Sequence, residues 1–302
     1  MSSGLPDSPV ATETDTNDGQ LGYNRRSSVP YTRRGPGKRM DLGLRGRVAL
    51  VCGASAGLGK AVAMGLGKEG TRLAICSRTE EKLTKAAEDI RRETGTDVLA
   101  IRADVSIPAE VKDLVQKTVA HYNRLDILVT NAGGPPFGHF HDLPEEVWQK
   151  ALSLNLLSTL HLCREAVPHM KAANWGRIIN ITSFVAKQPT DGLILSNMTR
   201  PAVLGLAKSL ANELAPYNIL VNSVCPGAFE TERHLELSRK RAQQEGFSLE
   251  EYLKLRAKDI PLKRNGKPEE FAGLVVFLAS ERASYITGAA IQIDGGLIRS
   301  LF

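Results

Sequence analysis

The run Gly-Ala-Ser-Ala-Gly-Leu-Gly at 53–59 follows a short apolar stretch and opens a segment of helical period. Glycines at 53, 57 and 59 allow a tight turn that brings a helix N-terminus against a ligand. The free N–H groups and positive dipole end of that helix suit a phosphate or diphosphate. Such a turn can also do no more than close a strand against a helix. The spacing differs from G-x-G-x-x-G and is not a P-loop.

After the second apolar run the chain reads Ser77–Arg78. Nucleotide sites for NAD place an acid here, which accepts a hydrogen bond from the ribose 2′-hydroxyl. An Arg instead offers five donors and a permanent charge to a 2′-phosphate, which a carboxylate would repel. NADP(H) is therefore expected over NAD(H), unless Arg78 is only a solvated residue at a helix start. Ser183 closes Ile-Ile-Asn-Ile-Thr-Ser at the end of another apolar run, and Asn155 falls within a long helical segment. Both residues also have ordinary structural readings, as a strand-end cap and a mid-helix Asn. His139 and His141, in the loop Gly-Gly-Pro-Pro-Phe-Gly-His-Phe-His, offer a substitute acid, or are merely solvent-facing.

These residues need a scaffold, and the hydrophobic pattern supplies one. Short apolar runs at Val48–Cys52, Arg72–Cys76, Val98–Ala103, Ile127–Thr130, Arg177–Thr182, Leu220–Val224 and Ala289–Ile293 alternate with longer segments of helical period. The alternation predicts a single α/β domain, with a doubly wound parallel sheet of about seven strands and helices on both faces. Gly70 and Gly95 stop the first two helices, and Pro144 with Glu145 starts another. Ligands of such sheets sit beyond the carboxyl ends of the strands. The charged, helical segment at about 230–267 interrupts the alternation there and is expected to form a lid over substrate.

Residues 1–43 are rich in Ser, Thr, Asp, Gly, Pro and Arg with few large apolar side chains, and are expected to be a disordered polar, basic tail. Met40 could serve as an alternative start, and the Arg pairs at 25–26 and 33–34 as a docking signal; a solvated linker is the plainer reading. The remainder, 44–302, holds the domain. Lys and Arg number 39 against 33 Asp and Glu, a net charge of +6, but the charges are dispersed, so no nucleic-acid partner is expected. Cys52, Cys76, Cys163 and Cys225 show no ligand spacing, which argues against a disulfide framework and against a metal. The chain has no apolar run long enough for a membrane span and no secretory leader, so the expected location is cytoplasmic.

Further motifs fall in order along this frame: Asp104–Val105 after the third strand, Asn131-Ala132-Gly133-Gly134 after the fourth, and Pro226–Gly227 after the sixth. With the 53–59 loop, they make residues 44–299 resemble the short-chain dehydrogenases/reductases, which implies a Rossmann-type domain and a nicotinamide dinucleotide. The resemblance assigns Gly53, Ser55, Gly57, Leu58, Gly59, Ser77, Arg78, Asp104, Val105, Asn131, Ala132, Gly133, Pro226 and Gly227 to the cofactor. It also assigns Asn155 and Ser183 to catalysis. The family's Tyr should stand thirteen positions after the Ser and its Lys four further on; this chain has Ser196 and Arg200 there, in Leu-Ser-Asn-Met-Thr-Arg. The helix that follows leaves no room for a gap. With the ending Tyr-Ile-Thr-Gly-Ala-Ala-Ile-Gln-Ile-Asp-Gly-Gly, this looks similar to a divergent subgroup described as 3-oxoacyl-(acyl carrier protein) reductase-like.

A serine hydroxyl is a far weaker acid than tyrosine, and Arg keeps the charge of Lys without releasing its proton. The resemblance thus implies an NADP(H)-dependent oxidoreductase of a small carbonyl or alcohol substrate with an atypical active site. The alternatives are a dinucleotide-binding sensor or partner subunit without turnover, and a lyase, dehydratase or isomerase on the same fold. It further implies a homodimer or homotetramer, paired through helices at about 146–171 and 196–216.

Overall fold

The computed structural model describes residues 40–301. Seven strands form one parallel sheet in the order β3-β2-β1-β4-β5-β6-β7. They are β1 (Val48–Cys52), β2 (Arg72–Ser77), β3 (Val98–Arg102), β4 (Ile127–Thr130), β5 (Gly176–Ile181), β6 (Ile219–Pro226) and β7 (Ala290–Ile293). Each agrees with its predicted run to within two residues. Strands of a sheet covered on both faces read as continuous apolar runs, and β1, Val-Ala-Leu-Val-Cys, is buried throughout.

Alternate residues of β1 enter two separate cores. Ala49 and Val51 pack with α1 (Gly57–Lys68), α2 (Glu80–Thr94) and α9 (Pro268–Ala279) on one face of the sheet. Val48, Leu50 and Cys52 pack on the other with α3 (Pro108–Tyr122), α5 (Ser158–Ala173) and α6 (Ile194–Leu214). The doubly wound architecture follows from this alternation. The chain runs outward from β1 to β3 and then returns to β4 on the other side of β1. The crevice between β1 and β4 is therefore the topological switch point, where ligands of such folds bind.

Local chemistry sets the helix limits. Glu80 and Glu81 occupy the first turn of α2, which ends on Gly95 in the left-handed region at φ 67°; Pro108 starts α3. One predicted helix is not continuous. Between α4 (Glu145–Leu152) and α5 the backbone takes a π-helical turn, Ser153–Leu157, and Asn155 sits on it. One extra residue per turn rotates the side chains that follow, so the 3.6-residue period does not hold across the segment.

The compact unit begins at Asp41, ahead of the boundary expected at 44. Leu42 packs on the core, its carbonyl accepts from Glu281 N at 3.0 Å, and Leu44 is buried. The apolar side chains of Leu42 and Leu44, packed on the same core, tie down residues that composition alone assigned to the tail. Residues 1–39, with the rest of that tail and its Arg pairs, lie outside the described residues. Helices α7 (Glu232–Glu245) and α8 (Leu249–Ala257) fall in the segment anticipated between the last two strands.

Candidate active site

Gly53 leaves β1 at φ 59°, a left-handed conformation that lets the chain fold back on itself. Gly59, in the first turn of α1, then lies so close that a Cβ there would stand 2.3 Å from the Gly53 carbonyl oxygen. Asn131, just beyond β4, donates from Nδ2 to that same oxygen at 3.3 Å. The loop is thereby fixed to both strands of the switch point.

A narrow crevice of about 160 Å³ runs from this loop over the ends of β2 and β3, with Gly53, Ser55, Ser77, Arg78, Asp104, Val105, Asn131, Ala132 and Gly133 in its walls. It shares several of these residues with a cleft of about 780 Å³ that continues over Gly57, Leu58, Pro226 and Gly227. Fold geometry thus brings together the residues assigned to a dinucleotide from separate motifs. Gly59 alone among them stays out of the walls, serving the close contact of α1 with the loop.

Arg78 is exposed, and among the described residues it has no hydrogen-bond or ion-pair partner. The Asp104 carboxylate is occupied, accepting from the backbone N and hydroxyl of Ser106 at 3.0 and 2.7 Å. The Arg78 guanidinium thus borders the crevice without a partner, while the Asp104 carboxylate is already engaged.

None of the four residues expected to do chemistry lines the crevice or the cleft. Asn155 is buried; its Nδ2 donates to Gly133 O at 3.0 Å and its Oδ1 accepts from the Thr199 hydroxyl at 3.3 Å. Ser183 lies two residues beyond β5 and caps a short turn, Phe184–Ala186, accepting weakly from Val185 N at 3.4 Å; that turn packs on α6. Ser196, in the first turn of α6, is buried, and its hydroxyl has no partner among the described residues. Arg200, one turn on, is 7% exposed. It donates to the carbonyls of Ile181 at 3.3 Å and Ala132 at 3.5 Å, while its Nε has no partner. Burial, reinforced by Arg233, lowers its pKa to about 10, so it remains a cation at neutral pH.

His139 and His141 are exposed on the loop after β4 and do not line the cleft, so the structure gives no support to their role as a substitute acid. Among the described residues no group of three His, Cys, Asp or Glu side chains could hold a metal, and no helix is long and apolar enough to cross a membrane.

The motif reading missed the near end of α7. Thr231 caps this helix, its hydroxyl accepting from His234 N at 3.2 Å, and Thr231, Arg233 and His234 all line the cleft. A Thr ahead of a charged helical run is a start signal legible in sequence. Which residues of the next turn face the cleft is not. Burial holds the pKa of His234 below its ordinary value.

Comparison with known proteins agrees with this geometry. A family model described as Enoyl-(Acyl carrier protein) reductase matches residues 53–298. Dehydrogenase/reductase SDR family member 4 of Bos taurus is 35% identical over 278 residues, 92% of this chain and 94% of that protein. The 3-oxoacyl-[acyl-carrier-protein] reductase of Aquifex aeolicus is 34% identical over 258 residues, 85% of this chain and all of its own. The crystal structure of L-sorbose reductase from Gluconobacter frateurii, complexed with NADPH and L-sorbose, superposes with a TM-score of 0.84 at 35% identity, covering 87% of this chain and 100% of that one. The glycine loop at the switch point, the ordered turns after β3, β4 and β6, and likeness over nearly the whole folded unit together place the chain in the short-chain dehydrogenase/reductase family.

Proposed function

We propose that the protein is an NADP(H)-dependent oxidoreductase that interconverts a carbonyl and a hydroxyl group with an atypical acid–base apparatus. The observation that carries the reading is the end of β2, where Arg78 faces the crevice with no hydrogen-bond or ion-pair partner among the described residues. The close packing of Gly59 on Gly53, where a Cβ would collide, sets the α1 N-terminus against the cleft, where its N–H groups suit a diphosphate. Arg78 and the walls formed by Asp104–Val105, Asn131–Gly133 and Pro226–Gly227 would hold the remainder. The dinucleotide, when bound, supplies or accepts the hydride.

The chain's own residues would then act as follows. Ser183, just beyond the strand end, whose hydroxyl has one weak hydrogen bond among the described residues, turns that hydroxyl to the substrate oxygen and polarises it. Arg200 holds a positive charge beneath Ala132 and Ile181 and favours negative charge on that oxygen. Ser196 provides a short hydroxyl free to bind but too weak an acid to replace tyrosine, so the proton that completes the hydroxyl is exchanged with solvent. Loss of general acid–base help lowers rates by about 10²–10⁴-fold, so turnover is slow. Helices α7 and α8 form the lid, and copies of the chain pair through α5 and α6.

Titration of the purified chain should show NADPH binding at least about tenfold tighter than NADH, as one charge-assisted contact provides. A broad panel of ketones and alcohols should contain one that exchanges hydride with the cofactor, and Ser183→Ala should slow that reaction about a hundredfold. No cofactor consumption above background on any compound, or full activity in Ser183→Ala, would overturn the reading.

A second reading draws on the same wall. Both polar atoms of Asn155 are engaged by Gly133 and Thr199, an arrangement that suits a structural residue in a protein that binds the dinucleotide without turnover. It predicts tight NADPH binding, no native hydride transfer, and turnover appearing in the double variant Ser196→Tyr, Arg200→Lys. Native hydride transfer removes it.

A further inference from the structure

In and around the cleft stand cations that form no ion pair among the described residues. Arg233, in the first turn of α7, reaches across to the loop after β4, where its Nη2 donates to Gly134 O at 2.8 Å. It lies so close over that backbone that a Cβ on Gly133 would stand 2.9 Å from Nη1. Two turns along the same helix face, Arg241 lies over the ring of Phe137, 4.1 Å from its centre. Leu237, midway between them, lines the cleft. One face of α7 therefore runs along residues 134–137 and presents two guanidinium groups to them.

Among the described residues, neither guanidinium has a carboxylate within ion-pair distance, although Glu232 and Glu236 border the same cleft. Beneath them lies Arg200, buried, bonded only to two carbonyl oxygens and with its Nε unpartnered. A buried charge without a counter-charge is costly unless a ligand brings the opposite sign.

A cofactor diphosphate is not the group this arrangement fits. The α1 N-terminus and Thr231 already face each other across that part of the cleft, since a Cβ on Gly57 would lie 3.3 Å from Thr231 Cγ2. Arg233 reaches away from them, toward Gly134 and the loop leading to Phe137.

We propose that the substrate is itself an acid: the carbonyl or hydroxyl compound carries a carboxylate or a phosphate that Arg233 grips between α7 and Gly134, with Arg241 two turns along the same helix and Arg200 bonded behind it to Ala132 and Ile181. This rests on the oxidoreductase reading above. In binding, Arg233 exchanges the Gly134 carbonyl for the anion, which can take two of its N–H groups at once.

The test uses the full chain saturated with NADP⁺. Short hydroxy acids and sugar phosphates are titrated in calorimetrically, each beside its uncharged counterpart, the methyl ester or the free sugar. The corresponding oxo compounds are assayed with NADPH. At least one acid should bind about ten- to a hundredfold more tightly than its neutral partner, the range of one charged hydrogen-bonded contact. Arg233→Ala should bring that ratio close to one, acting on KM rather than kcat, while Arg233→Lys restores part of it and NADP⁺ affinity shifts less than about twofold. Which of the two compound sets shows the preference tells carboxylate from phosphate. Equal binding of every acid and its neutral partner sinks the proposal, and so does an Arg233→Ala variant that loses NADP⁺ as strongly as it loses the acid. Acid binding that depends on Arg233 without any turnover would sink the oxidoreductase reading alone.

Discussion

Arg78 stands exposed at the end of β2 with no partner to give up before it binds. A bound 2′-phosphate would gain charge-assisted bonds at little cost in lost protein contacts. Arg78→Ala should therefore weaken NADPH by about ten- to a hundredfold and leave NADH nearly unchanged. Lys82, one helical turn away on the same cleft wall, keeps part of the attraction, so raised salt should erode what remains in the variant. Fluorescence titration of both nucleotides at two ionic strengths checks this; an equal loss for both would show that Arg78 does not read the 2′ position. Residues of this kind are legible in sequence, because Gly53, Arg78 and Asp104 come within two residues of strands whose apolar runs mark their ends. Arg233 was not. It is one of several charged residues on a helix, and only the packing of α7 along the loop after β4 singles it out from Arg239 or Lys240.

Element boundaries were legible wherever a residue's chemistry forces them, as with Gly95 ending α2 and Pro144 with Glu145 starting α4. The π-helical turn that carries Asn155 was not, since Ser153–Leu157 reads as plain helix and the extra residue is set by tertiary contacts to Gly133 and Thr199. Two glycines separate the demands that an element makes on its residues. Gly59 joins α1 to the loop after β1, and a Cβ there would collide with the Gly53 carbonyl at 2.3 Å. Gly205 lies exposed within α6 with no atom within 4 Å of where its Cβ would sit. Gly59→Ala should cost about 1–3 kcal/mol of stability and displace α1 from the phosphate position, lowering NADPH affinity with it. Gly205→Ala should add up to about 1 kcal/mol by removing backbone freedom from a helix interior, with no effect on nucleotide binding. Thermal melts with and without NADPH distinguish the two. A Gly59→Ala chain that melts and binds like the native one would mean that the tight loop is not what fixes the nucleotide site.

At the scale of the molecule, one sheet separates two cores, and the site lies at the sheet's carboxyl edge, where both meet. The core that contains α1, α2 and α9 also takes in the chain just ahead of β1. Leu44 is 1% exposed and Leu42 packs beside it. The Asp41 carbonyl accepts from Arg282 Nε at 2.9 Å, and Leu42 O accepts from Glu281 N, which anchors the end of α9. Composition hid this, because two leucines among Gly, Asp and Arg do not look like a core segment until the turn at 281–283 is seen to receive them. A chain that starts at Asp41 and one that starts at Arg45 differ by only these four residues. Removing a buried leucine side chain alone costs about 2–5 kcal/mol, and the lost backbone bonds to 281 and 282 add to it. The shorter chain should therefore melt well below the longer one. Its NADPH affinity, measured at a temperature where both are folded, should be unchanged, because none of the four residues borders the cleft. Equal melting temperatures would place the start of the folded unit at β1. A loss of NADPH affinity without a loss of stability would mean that the segment ahead of β1 reaches the nucleotide site, which the position of Leu42 and Leu44 in the α1–α9 core contradicts.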